Sequence, residues 1–225
     1  MNSLIHMYKI KPYTSCDMPA PDSTLRVLVL NASLKRGKKI SNTQEVADLV
    51  LSHMKKVATI THESVRLADK NIPVGLGFKE GKNDDWPKIA KKLQEADIVI
   101  FATPVWWGNR SSLMQRVIER MDAFDEEAVK NGRSSLLNKV AGICITGSED
   151  GAQATMAGLM EVLSFMNFTL PPQCCAYWVG EVGRQTQKDA DMRRKNKAVK
   201  EMAKNTARNL VYYAQLLKQH PLVLG

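Results

Sequence analysis

"ADIVIFATPVWWGNRSSLMQRVIERMD", residues 96–122, passes from a strand pattern to a helix pattern across one short loop. Residues 97–103 form a largely apolar run with no polar alternation, as expected for a strand buried on both faces of a parallel sheet. Residues 111–124 carry apolar side chains at 113, 114, 117, 118 and 121, the spacing of a helix with one buried face. Between the two, Val105, Trp106 and Trp107 stand together just before Gly108. Consecutive strand residues point to opposite faces, and a wet tryptophan is costly, so a loop mouth holding both has a use for aromatic surface.

The same strand-then-helix unit recurs in both directions. "LRVLVLN" (25–31) is a second apolar run, and 43–57 has a helical stripe at 46, 47, 49, 50, 51 and 54. "ATITHESVRL" (58–67) is a more polar strand, suited to an edge, and a Gly-rich connector (71–83) leads to "WPKIAKKLQEA", with Pro87 in its first turn. Beyond the central unit come a strand at 139–147, a helix at 151–168, a fifth strand within 171–179 and one basic helix over 186–218. Five strands, each followed by a helix, predict one doubly wound α/β domain over 25–218. An extended arm (1–24) precedes it and a short tail (219–225) follows.

Composition narrows the function classes. No window approaches the roughly 18 apolar residues of a membrane span, and residues 1–24 lack the apolar core of a signal peptide, so the chain reads as cytoplasmic. The four cysteines (16, 144, 174, 175) form no C-x-x-C pair, and buried thiols are expected, with Cys174 and Cys175 alternating across a strand. The net charge is +9, but seven of those nine charges fall between 184 and 219, where ten basic residues meet three acidic ones. A solvated helix face explains that run better than nucleic acid, because no aromatics are interleaved with the charges.

In a doubly wound sheet, ligands lie beyond the carboxyl ends of the strands where the winding reverses, which selects the loops after strands one, three and four. The first, "NASLKRGKKISNT" (31–43), offers Ser33, Ser41, Asn42 and Thr43 at a helix start, with Lys35, Arg36, Lys38 and Lys39 beside them. Hydroxyls, free N–H groups and the helix dipole make an anion site there. The loop is not a Walker A motif and holds no G-x-G-x-x-G, so one monophosphate fits better than a triphosphate or a dinucleotide. The plainer alternative is a basic loop capped by Ser41. The third loop, "TGSEDGA" (146–152), is small enough for close approach, and Ser148, Glu149 and Asp150 suit a helix N-terminus. For Glu149 and Asp150 that capping role is expected, with both side chains pointing away from a ligand. A flat aromatic cofactor carrying one phosphate would use all three loops.

These three segments, in this order, resemble the NAD(P)H-dependent FMN reductases, a flavodoxin-like family, over residues 25–180. The resemblance implies a three-layer sandwich with a five-stranded parallel sheet in the order 2-1-3-4-5 and helices on both faces. It places the FMN phosphate at Ser33, Lys35, Ser41, Asn42 and Thr43. The ring would be supported by Pro104, Val105, Trp106, Trp107 and Gly108, with one tryptophan beside the flavin and the other in the loop base or the wall of the substrate pocket. The pyrimidine edge would run along Thr146, Gly147, Ser148 and Gly151. NADPH or NADH would be the reductant, a small molecule such as a quinone or free flavin the acceptor, and the assembly a homodimer or homotetramer, with "CAYWVG" (175–180) and the N-terminal arm as contact candidates. The related iron–sulfur flavoproteins carry a cysteine cluster after strand two, where this chain has no cysteine. Two rivals remain at this stage: a non-enzymatic flavin electron carrier, for which a +9 chain is poorly charged, and a basic nucleic-acid-associated protein that keeps the fold without flavin.

Overall fold

β1 (Leu25–Asn31) and β3 (Ile98–Trp106) run side by side at the centre of the molecule, and their residues alternate between two separate cores. The computed structural model describes residues 24–148, 150–180 and 187–223. Most of the expected N-terminal arm, with Cys16, and the last two residues of the tail therefore lie outside the described residues. Leu25, Val27 and Val29 face one layer, formed by α1 (Asn42–Met54) and α6 (Lys197–Gln219). Leu28 and Leu30 face the other, formed by α2 (Trp86–Glu95), α3 (Ser112–Asn131) and α4 (Ala152–Phe165). That two-sided burial is why both strands read as apolar without alternation.

β2 (Ile60–Arg66), β5 (Val140–Gly147) and β6 (Cys175–Val179) complete a parallel sheet in the order β2-β1-β3-β5-β6. The five parallel strands thus lie in the expected order, and the polar β2 is at an edge. β6, part of the candidate contact segment 175–180, is the opposite edge. One further strand, β4 (Asn109–Arg110), was not expected; it pairs antiparallel with the end of β3. The winding reverses between β1 and β3, so the loops after β1, β3 and β5 open at one end of the sheet.

Several bounds differ from the sequence reading. β3 continues three residues past Thr103 because its end folds back on β4 instead of leaving the sheet. α3 runs to Asn131 and stops at Gly132, whose φ of 67° is the left-handed cap that ends many helices. The helix expected over 186–218 is two helices, α5 (Gln187–Lys195) and α6, because Asn196 leaves the helical conformation and accepts the Val199 N–H as the N-cap of α6. Cys144, Cys174 and Cys175 are free thiols, the first two buried, and burial raises the pKa of all three. Among the described residues, no helix is long and apolar enough to cross a membrane.

Candidate functional site

The first loop is held from inside and from behind. Asn31, at the end of β1, accepts the Ser33 N–H at 2.9 Å and donates to Gln44 Oε1 at 2.9 Å. Ser41 is the N-cap of α1, its Oγ accepting the Gln44 N–H at 3.1 Å, so the capping role is real. It satisfies one first-turn donor and leaves the N–H groups of Asn42 and Thr43, which no helical carbonyl can reach. Arg66 Nη1 donates to the carbonyls of Gly37 (2.6 Å) and Lys39 (2.8 Å), and Asp69 accepts the Gly37 N–H at 2.9 Å. These two braces were not singled out from the sequence. Their place at the end of the neighbouring strand β2 is the signal that could have found them. Lys35 is half-buried, while Arg36, Lys38 and Lys39 are exposed.

The second loop is a hairpin. Val105 pairs with Arg110 and Trp106 with Asn109, which leaves Trp107 and Gly108 as the turn. Their φ angles are +50° and +76°, the two left-handed positions that a type I′ turn requires. For a tryptophan that conformation is strained. Neither indole is turned into the loop base. Trp106 is 46% and Trp107 90% exposed, while Val105 is the side chain packed inward at 5%. Alternation decides this: Val105 faces the core, Trp106 must face away from it, and Trp107 sits at the tip. Pro104 and Gly108 are half-buried. Ser111, just after the hairpin, donates from Oγ to the Ala32 carbonyl at 2.8 Å and from its N–H to Thr103 Oγ1 at 3.0 Å, which ties this loop to the first.

The third loop touches both of the others. Thr146 Oγ1 and Thr43 Oγ1 form a buried hydroxyl pair at 2.7 Å. Gly147 accepts the Gly180 N–H at 2.8 Å. Gly151 is the N-cap of α4 at φ 124°, with no side-chain cap, so Asp150 does not have the capping role expected of it. The backbone explains why: a Cβ at Gly151 would lie 2.6 Å from Gly108 Cα, and that close approach selects glycine over a capping side chain. Thr155 Oγ1 reaches the Gly108 carbonyl at 3.5 Å across the same contact. Ser148 is half-buried and Asp150 exposed; Glu149 lies outside the described residues.

A fourth element arrives from the C-terminal basic segment. α5 lies against the first turn of α1, where Arg193 Nη2 approaches Asn42 Oδ1 at 3.4 Å and pairs with Glu45. Arg194 pairs with Glu45 as well. Burial pushes the Glu45 carboxyl up, but the hydrogen bonds from Arg194 and Arg193 outweigh it and hold it below its usual range. Arg193 is 2% exposed, so the reading of this basic run as a wholly solvated face fails at that residue. Charge spacing alone could not show it, because the partner lies about 150 residues away.

The residues brought together thus form an open shelf at the carboxyl end of the sheet: N–H and hydroxyl donors at one end, two exposed indoles and a glycine backbone contact at the other. The family model described as NADPH-dependent FMN reductase matches residues 25–181. The 8-demethyl-8-aminoriboflavin-5′-phosphate synthase of Streptomyces davaonensis is 32% identical over 168 residues, covering 71% of this chain and 65% of that protein. The divalent metal cation transporter MntH of Mycobacterium bovis is 31% identical over 163 residues, covering 71% of this chain and 24% of that protein. This chain therefore spans just under two thirds of the first protein and about a quarter of the second. The crystal structure of RosB with a bound 8-demethyl-8-formylriboflavin-5′-phosphate intermediate is similar at a TM-score of 0.79 and 26% identity, covering 88% of this chain and 82% of that one.

Proposed function

Because this chain belongs to the NADPH-dependent FMN reductase family, we propose that it is an FMN-dependent NAD(P)H oxidoreductase that passes hydride from NADPH or NADH to a small acceptor such as a quinone or free flavin. The observation that carries this reading is the convergence of three loops, fastened by the Thr43–Thr146 hydroxyl pair and the Gly108–Gly151 backbone contact. The donor set fits a flavin 5′-phosphate. Asn42 and Thr43 present N–H groups at a helix N-terminus, Ser33 and Lys35 stand beside them, and Glu45, the carboxylate in that helix's first turn, is held by two arginines.

When bound, the flavin supplies the hydride-accepting and hydride-donating chemistry, and the protein supplies position and electrostatics. Ser33, Lys35, Ser41, Asn42 and Thr43 would hold the phosphate end. Trp106 and Trp107, with Pro104 and Gly108, offer a flat apolar surface for the ring, while Val105 supports the hairpin from within the core. Thr146, Gly147, Ser148 and Gly151 would border the ring's polar edge, where backbone N–H groups would stabilise the negative charge of a reduced flavin. No acid–base pair is required of the side chains. A homodimer or homotetramer, with the exposed indoles covered by a neighbouring copy, belongs to the same proposal.

A second reading is favoured by the similarity to a synthase named for a flavin phosphate and to a structure holding a flavin-phosphate intermediate: in this chain the flavin would be substrate, not resident cofactor. One experiment separates the two. Protein with FMN should oxidise NADPH or NADH many times over in the presence of a quinone, faster than free FMN does, and mass spectrometry should recover the flavin unchanged. Recovery of an altered flavin would establish the second reading, and a rate no faster than free FMN would defeat the first. Fluorescence checks the ring platform. Added FMN should quench wild-type emission, and Trp106→Phe or Trp107→Phe should remove most of that quenching; quenching that survives both changes would show that neither indole lies at the ring.

A further inference from the structure

We infer that α5 is a phosphate clasp, with Arg193 as the residue that makes this chain prefer a flavin phosphate ester over the same flavin without its phosphate. The inference rests on the reading of the α1 N-terminus as the phosphate end of the site. Arg193 and Arg194 lie beyond the segment 25–181 matched by the family model.

Three observations carry it. Arg193 is 2% exposed, although the next two residues of the same helix, Arg194 and Lys195, are exposed. A guanidinium taken out of water needs close anionic or polar partners, because removing charge from water is expensive. Its place is also specific: Nη2 lies 3.4 Å from Asn42 Oδ1, on the first residue of α1. Accepting from Arg193 orients the Asn42 amide so that its NH2 group is the free end, a donor beside the first-turn N–H groups. Finally, Glu45, which would otherwise repel a phosphate from the first turn of α1, is engaged by both Arg193 and Arg194. α5 therefore adds positive charge to a helix N-terminus that is already positive, and cancels the one carboxylate in its first turn. An uncharged ribityl hydroxyl gains little from that field. A phosphate dianion gains much.

The test compares two ligands in calorimetry, FMN and riboflavin. Wild type should bind FMN far more tightly than riboflavin. Arg193→Gln should weaken FMN binding about 10- to 100-fold, the scale of a lost charge-assisted interaction, and leave riboflavin binding unchanged. Arg193→Lys should restore part of the difference. Glu45→Gln moves the other way: it removes the competing carboxylate, so FMN should bind more tightly, by about 3- to 10-fold, with riboflavin again unchanged. A gain of affinity confined to the phosphorylated ligand cannot come from misfolding, so Glu45→Gln decides the matter even where Arg193→Gln folds poorly. Variants that shift both ligands equally, or neither, would overturn the clasp. Wild type that binds neither ligand would instead defeat the flavin reading beneath it.

Discussion

Arg120→Met is expected to lower the unfolding free energy by about 3–5 kcal/mol, the scale of a buried ion pair broken on one side. Arg120 and Asp84 are joined at 2.7 Å with both side chains fully buried. The same guanidinium donates to the Gly77 carbonyl (2.8 Å) and to the Pro73 carbonyl (3.1 Å), and it lies 5.7 Å from the centre of the Trp86 ring. Asp84 in turn accepts the N–H groups of Glu80 and Trp86 at 2.7 and 2.8 Å. Arg120 is thus the pin that fastens the connector between β2 and α2 onto α3. Methionine fills the stem but leaves the Asp84 carboxylate buried without its countercharge and the carbonyls of Gly77 and Pro73 without their donor. Urea unfolding would read the loss, and hydrogen exchange should locate it in residues 71–85. A cost below about 1 kcal/mol would mean that water replaces the guanidinium without penalty.

The pin also has a pH signature. Burial pushes the Asp84 carboxyl up, but the Arg120 hydrogen bond, helped by the Glu80 and Trp86 N–H groups, outweighs it, so its pKa lies below the ordinary 3.8. A carboxyl whose folded value is depressed stabilises the fold above its unfolded value and loses that contribution as pH falls toward the folded one. The stability gap between wild type and Asp84→Asn should be full near neutral pH and narrow below about pH 4. A gap that stays constant down to pH 2 would contradict the direction of this shift.

Gly151→Ala is expected to damage the site and the fold together. The added Cβ meets Gly108 Cα at 2.6 Å and the Gly108 carbonyl group at 3.1 Å, backbone atoms that cannot rotate away. At φ +124° an alanine is strained even in open space. Strain and overlap together should cost about 2–5 kcal/mol. Relief must come from pushing the Trp107–Gly108 turn off α4, so FMN affinity should fall at least about tenfold, equivalent to about 1.4 kcal/mol. Gly81→Ala is the control. Its φ is +89° but nothing lies within 4 Å, so it carries the strain without the collision. It should lose stability and keep its flavin affinity. If both variants bind FMN like wild type, the contact between these loops does not shape the site.

How much of this was legible in the sequence follows from the range over which each signal acts. Strand and helix identity were readable because the pattern is local: β1 and β3 are apolar throughout since both faces are covered, and β2 is polar since it is an edge. The alternation of elements predicted a doubly wound sheet, the family resemblance supplied its strand order, and the three loops came from the rule that ligands gather where the winding reverses. The capping role of Ser41 was readable for the same reason, because an N-cap and its target are three residues apart.

What the sequence could not carry were pairings between distant segments. The inward turn of Val105 and the outward turn of both indoles depend on a two-residue return strand too short to leave a periodic trace. The capping expectation failed at Asp150 because the decisive neighbour of Gly151 is a backbone atom 43 residues earlier. Arg193 looked like one cation among many, and Arg120 like one polar position on an amphipathic helix; each became singular only when a carboxylate from elsewhere closed on it. Local pattern determined which segments would be strand, helix and loop, because burial of a repeating face needs only near neighbours. Tertiary structure alone decided which charges and backbones would meet, because desolvation and steric overlap are set by whatever the fold brings alongside.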